Sequence, residues 1–391
     1  MHLNRKTAVI GATLATAALT LSALPVVADG HVGGVPAVPT GYTELDQALG
    51  EDQPFAGTTV TMQTQWIGGE GDSLRESLTP FSEATGIQIN VAEVPSGQHE
   101  TLVNVSLQGG AAADILQLAQ PATVKGYGED GLIVDVCTLM DCEKLAAELP
   151  TTAYQVDEAV FGIPYKIGLK SVVWYPIKAF ADRGYEVPQT WEELVALSDR
   201  IVAEGEGAPW CVGIDSGPAT GWVITDWVED VMIRTAGLDA TNAWAEGELL
   251  FSSPEVTNAW DLVGQMLFTD GYVLGGNTAI LATSIVDPMD PMFNDDTMNP
   301  GCWMHKQSDW YFPDFAPDQK ATGETQYVLG EDIGLFYFPV IDPEIGAPVL
   351  FGGDAFMVTA DRPEVRAVSQ FLATPESIEA WIKAGSAISP N

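Results

Sequence analysis

Between residues 58 and 118 the chain repeats one local pattern, and that repetition restricts its fold more than any other feature. Residues 58–65 (TTVTMQTQ) read as a β-branched strand, residues 67–72 as a polar, Gly-rich loop, and Ser73 opens a helix that ends before Gly86. Residues 87–94 supply a second strand, 98–108 a helix closed by Gly109-Gly110, and 114–118 a third short strand. Strands that alternate with helices at this spacing form a parallel sheet with helices on its faces, which predicts an α/β fold. After Gly162 the pattern changes. The run GIPYKIGLKSVVWYP is mostly extended, and a helix over 190–204 follows it, with Thr190 as N-cap and Glu193 as its capping-box partner. Residues 206–325 are helix-rich and hold seven of the 11 Trp. Strand-like runs return at 333–339 and 349–358, and two helices begin near Arg362 and Pro375.

The N-terminus carries a different signal. MHLNRK precedes an Ala/Thr/Leu-rich stretch from Thr7 to Leu24 without an acid, then Pro25 and Val26-Val27-Ala28 before Asp29. This order predicts a secretory signal peptide over 1–28, cut after Ala28. The rival, a retained membrane anchor, fits less well, because about 18 residues rich in Thr and Ala fall short of the about 20 predominantly apolar ones that a span needs. With no Cys at the cut there is no lipid to attach, so the mature protein is expected free in the periplasm, not membrane-inserted. Residues 29–57 are rich in Gly, Pro and Thr, with one short helix-like piece near Tyr42 to Leu49, and read as a flexible lead-in or a surface strap.

The 363 residues beyond the leader exceed one hydrophobic core and predict at least two domains. A net charge of −38, or −40 once Arg5 and Lys6 leave with the leader, repels nucleic acid and anionic lipid, so neither is an expected partner. It reads as a solvated surface suited to a salty medium, where screening acts over roughly 8–10 Å. Four Cys in an exported chain point to disulfides and not to a metal. Cys137 and Cys142 suit a local bridge, which leaves Cys211 and Cys302 to close a loop of about 90 residues, worth about 4–5 kcal/mol in the chain-entropy model. The two other pairings stay open.

Several spaced segments, FSEATGIQINV, GIPYKIGLKSVVWYPIKAFADRGYEVPQTWEELVALSDRI, FGGDAFMV and RAVSQFLATPESIEAWIKAGSAISP, resemble in the same order the landmarks of extracellular solute-binding proteins of the maltose-binding-protein class. APWCVGIDSGPATGWVITDWVEDVMIRTAG and CWMHKQSDW resemble its alpha-glucoside-binding branch more narrowly. The resemblance implies a bilobed periplasmic-binding-protein fold: two α/β domains joined by crossing strands, with a ligand cleft between them. Its expected division is a first lobe of 58–165 plus 350–391 and a second, helix-rich lobe of 166–349. It also implies a monomer, a small saccharide ligand, docking onto the membrane permease subunits of an ABC importer, and no cofactor. Members usually continue past the ISPN that ends this chain, with helices that return to the second lobe.

A sugar offers hydroxyls on its rim and apolar C–H faces, so its site needs aromatic plates, carboxylates, amides and a few cations. Loops at strand C-termini are where an open α/β sheet presents such groups. Trp66, Glu70 and Asp72 follow the first strand, and Gln117 ends the third. Lys170 is a cation inside an apolar run and needs a partner. Trp222 and Asp226 lie four apart on one helical face, a plate beside an acceptor. His305, next to Trp303 and Cys302, is a candidate hydrogen-bonder fixed by the long disulfide. Gly353 and Asp354 follow an apolar strand, where paired glycines permit close backbone approach to a ligand. Each has a plainer alternative: Trp66 as core, the acids and Gln117 as solvated surface, Lys170 as a hinge ion pair.

The 54 acids guarantee carboxylate pairs, so composition alone leaves a glycoside hydrolase possible. No G-x-S-x-G, HExxH or P-loop is present, which favours a binder over an enzyme. A surface lectin, binding without domain closure, is a third class. Trehalose, sucrose and maltose suit the branch, and a glucosylated osmolyte suits the acidic composition.

Overall fold

The computed structural model describes residues 34–293, 299–316 and 327–390. The expected leader and the first residues of the lead-in lie outside them.

Short helix α1 (Thr43–Leu49) buries Tyr42, Leu45 and Ala48, and Leu45 N donates to Gln370 Oε1 at 2.8 Å. From residue 34 on, the lead-in is thus a strap packed on the first lobe. Strand β1 (Thr59–Thr64) runs into helix α2 (Gly69–Thr85), then β2 (Gln88–Glu93), α3 (Ser96–Gln108) and β3 (Ile115–Leu118). Helix α2 begins four residues before the expected Ser73 because Gly68, at φ 58°, turns the chain and leaves Glu70 and Asp72 in the first helical turn. The positive end of the helix dipole favours acids there.

The extended run after Gly162 is two strands belonging to different sheets. Strand β4 (Ile163–Leu169) stays in the first sheet and β5 (Val172–Pro176) enters the second, so the chain crosses at Lys170-Ser171, beyond the expected division at 165/166. The second sheet also holds β6 (Ala208–Trp210), β7 (Cys302–Lys306) and β8 (Ile333–Tyr337), in the order β8-β5-β7-β6. The return crossing ends in β9 (Phe351–Val358), which completes the first sheet as β2-β1-β3-β9-β4. Strands β1, β2 and β3 are parallel as expected, but β9 is antiparallel to β3 and β4. Its direction follows from its origin, since it enters from the other lobe at the end where β1 and β3 finish.

Between β5 and β6, helix α4 (Trp191–Glu204) opens with a capping box: Thr190 Oγ1 accepts from Glu193 N at 3.2 Å, and Glu193 Oε2 accepts from Thr190 N at 3.3 Å. Helix α5 (Trp222–Thr235) and the helix Pro254–Phe268 pack against each other over the second sheet. Short helix α6 (Tyr311–Phe315) leads out of β7, and α7 (Pro363–Leu372) and α8 (Glu379–Ala384) finish the first lobe. Each lobe has its own core. One is built from Leu74, Phe81, Phe356 and Phe371, the other from Leu194, Trp210, Trp227, Val263 and Phe338. Burying each such side chain is worth about 1.5–3 kcal/mol. The disulfides are Cys137–Cys142 and Cys211–Cys302, with Cα atoms 5.0 and 5.3 Å apart. The second ties β7 to the segment after β6. No helix among the described residues is long and apolar enough to cross a membrane.

Candidate ligand-binding cleft

Along strand β4 and the residue that follows it, positions 166, 168 and 170 alternate onto one face. That face carries Lys166, Gly168 and Lys170, and it points toward the second lobe. A Cβ on Gly168 would lie 2.4 Å from Ser308 Oγ and 2.6 Å from Trp310 Cδ1, so the glycine is what lets the indole of Trp310 approach the strand.

Lys170 Nζ pairs with Asp226 Oδ2 at 2.7 Å and lies 4.5 Å from the ring centre of Trp222. The helical spacing that put Trp222 and Asp226 on one face thus brings both to Lys170. Trp222 lies 6.4 Å from Trp310, centroid to centroid, at 37°. Lys166 Nζ is 2.6 Å from Glu70 Oε1 in its own lobe and 3.5 Å from Asp314 Oδ2, which α6 sends across from the second. The indoles of Trp381, Trp310 and Trp66 surround the ammonium at 4.4, 5.2 and 6.0 Å. Strand β9 places Asp354 opposite Lys166, beside a bulge. Gln117 Nε2 donates to Asp354 Oδ1 at 2.7 Å, while its Oε1 accepts from Gln65 N at 3.0 Å. The lobes also meet at their rims, where a Cβ on Gly217, at φ +56°, would lie 2.6 Å from Gly97 O.

The electrostatics follow from burial. Burial opposes the Lys166 charge, but Glu70, Asp314 and Asp354 outweigh it and raise its pKa. Burial pushes Asp354 up to about 6, with Lys166 acting against the shift. Asp314 rises to about 7, again by burial against Lys166. Glu229, one turn from Asp226, is pushed up to about 7 by burial and by that neighbouring carboxylate. Carboxylates outnumber ammoniums along this face, and both lysines are already paired.

Of the expected residues, the structure gathers Glu70, Gln117, Lys170, Trp222, Asp226 and Asp354. Four others sit elsewhere. Trp66 is 1% exposed and packs on Trp381, Tyr165 and Phe356, so its ring is the floor behind Lys166 and not a plate. Asp72 points to solvent from the first turn of α2 and pairs with Arg75. His305 is buried in the second lobe, its Nδ1 2.8 Å from Cys211 O and its ring on Tyr311; burial lowers its pKa to about 4. It braces the disulfide, away from the cleft. Gly353 admits a backbone atom of its own sheet, since a Cβ there would lie 2.6 Å from Lys166 O.

Four residues at the cleft went unforeseen: Lys166, Trp310, Asp314 and Glu229. The Lys-x-Gly-x-Lys spacing in GIPYKIGLK is the signal that could have revealed the first. A surface depression of about 1020 Å³ lies near Glu129, Asp135 and Phe161, with neither indole nor cation in its lining.

Two lobes linked by crossing strands, with aromatic rings and charged side chains converging between them, have a counterpart among known proteins, and residues 76–391 match the bacterial extracellular solute-binding protein family. The chain belongs to that family. It is 34% identical, over 85% of its length and 76% of the relative's, to the osmoprotective compounds-binding protein GgtB of Synechocystis sp.. It is 35% identical, over 85% of its length and 72% of the relative's, to the alpha-glucosides-binding periplasmic protein AglE of Rhizobium meliloti. The fold matches a chitin oligosaccharide binding protein at a TM-score of 0.66 and 18% identity, covering 85% of this chain and 81% of that one. It also matches the ABC substrate-binding protein of Listeria monocytogenes solved with cycloalternan, at a TM-score of 0.66 and 16% identity, covering 85% and 80%.

Proposed function

We propose that this solute-binding protein is the periplasmic capture component of an ABC importer for an α-glucoside or similar small neutral saccharide, and that it catalyses no reaction. It works as a monomer after loss of its leader, closes its lobes on the ligand and presents the closed form to the permease subunits. The observation that carries this reading is the placement of Trp222 and Trp310, 6.4 Å apart, beside the paired Lys170 and Asp226. Indole faces suit the C–H surface of a pyranose, and paired charges supply both donors and acceptors to its hydroxyls. Because each ammonium is matched by a carboxylate, a uronate or sugar phosphate finds no free counter-charge. The 35% identity to an alpha-glucosides-binding protein supports the same class.

The 34% identity to an osmoprotective compounds-binding protein favours a second reading, a glucosylated polyol as ligand. A thermal-shift screen decides between them, with trehalose, sucrose, maltose and neutral glucosyl-polyols run beside glucuronic acid and glucose 6-phosphate. A binder raises its melting temperature by mass action and returns the sugar intact. A screen in which no neutral saccharide shifts the transition, or in which the sugar is hydrolysed, overturns the reading.

A further inference from the structure

Behind the Lys170–Asp226 pair, helix α5 carries a buried ion cluster that ligand binding does not itself require. Asp230 and Arg234 are 0% exposed and Lys306 is 3% exposed. Asp230 pairs with Arg234 Nη1, accepts from Ser171 Oγ at 2.7 Å, and lies 3.1 Å from Lys306 Nζ. One acid therefore faces two cations, and Arg234 alone would neutralise it. Burying a second ammonium carries a penalty of several kcal/mol unless its remaining protons find acceptors.

Those acceptors are main-chain carbonyls. Lys306 Nζ donates to Lys170 O at 3.2 Å and to Asp226 O at 3.4 Å, the carbonyls of the two residues whose side chains pair in the cleft. Trp227 and Phe338 close over the ammonium, with ring centres 5.5 and 5.2 Å away. The same cluster holds both crossings between lobes. Ser171 Oγ, which donates to Asp230, accepts from Leu350 N at 2.8 Å, and Ser171 O accepts from Phe338 N at 2.8 Å.

We propose that Lys306 is a positioning residue for ligand binding: it pins the main chain of Lys170 and of Asp226 so that their side chains stay paired at the cleft, with Asp230 and Arg234 as its fixed anchor. This rests on the reading of Lys170 and Asp226 as ligand contacts. A lysine that served only the core would alter stability and act independently of Lys170.

A double-mutant cycle measured by calorimetry separates the two roles. Wild type, Lys306→Met, Lys170→Met and the double variant are each titrated with maltose, sucrose and trehalose. Lys306→Met should lower affinity about ten-fold, Lys306→Arg should recover most of that loss, and the double variant should bind no more weakly than Lys170→Met. If the methionine variant does not fold, Lys306→Gln, which keeps an N–H donor, takes its place in the cycle with the same non-additivity expected. An affinity within two-fold of wild type for the Lys306 variant, or losses that multiply in the double variant, overturns the proposal. If Lys170→Met itself binds normally, the reading of the cleft fails, and this proposal with it.

Discussion

Lys166 on β4 and Lys170 just past its end lie on the same face of the chain, four residues apart, yet they occupy different electrical worlds. The Lys166 side chain is 2% exposed, shared by an acid from each lobe and enclosed by three indoles. Lys170 and its partner Asp226 are 14% and 15% exposed, beside Trp222, whose ring faces that of Trp310. The difference teaches that burial, not residue type, assigns the role. A cation shut away from solvent fastens the lobes together, while a part-exposed one can exchange a protein partner for hydroxyls.

The largest expected effect tests the inner station. Lys166→Met leaves Glu70 and Asp314 buried without a counter-charge and should lower unfolding free energy by about 3–5 kcal/mol in urea titrations. The matching change, Lys170→Met, should lower it by less than about 1 kcal/mol. Equal losses would erase the distinction between the two stations. The indoles divide in the same way. Trp66→Ala should destabilise the protein by about 3–5 kcal/mol while the folded fraction binds sugar nearly normally. Trp310→Ala should weaken binding about ten-fold, or about 1.4 kcal/mol, with little change in stability. The reverse assignment would restore Trp66 as a plate.

The smallest effect is a slope. Burial holds the Asp314 carboxyl at about 7, so between about pH 4 and pH 7 the folded protein keeps a proton that the unfolded chain has released. Its contribution makes stability fall as pH rises through that window and stay level above it. His305, held neutral down to about pH 4 by burial, works with the opposite sign as the unfolded chain takes up a proton near 6.5. Asp314→Asn should therefore make the fall of melting temperature with rising pH shallower, or turn it into a rise. A variant whose profile runs parallel to wild type would place Asp314 outside the ion cluster.

Much of the architecture was legible because it is written in local terms. The strand, loop and helix units of the first lobe, the Thr190 capping box and the short-range cysteine pair depend on near neighbours in sequence. In the candidate cleft, the shared face of Trp222 and Asp226 was legible for the same reason, the two being one helical turn apart. Trp66 and His305 misled because an indole after a strand, or an imidazole beside a cysteine, looks alike whether it faces a cleft or a core. Only packing decides, through Trp381 and Phe356 for one and Tyr311 for the other. Trp310 and Asp314 could not be placed at all from their neighbours, since their approach to Lys166 depends on the second lobe swinging α6 against the first.

The bare backbones of Gly97 and Gly217 have a mechanical consequence. At this one point of the rim no side chain of either glycine acts as a doorstop, so here the lobes close peptide against peptide. A methyl group on Gly217 would run into the Gly97 carbonyl and hold the jaws ajar, changing which guests the protein can enclose without altering a single group that touches them, whereas one on Gly97 would meet nothing closer than 3.7 Å.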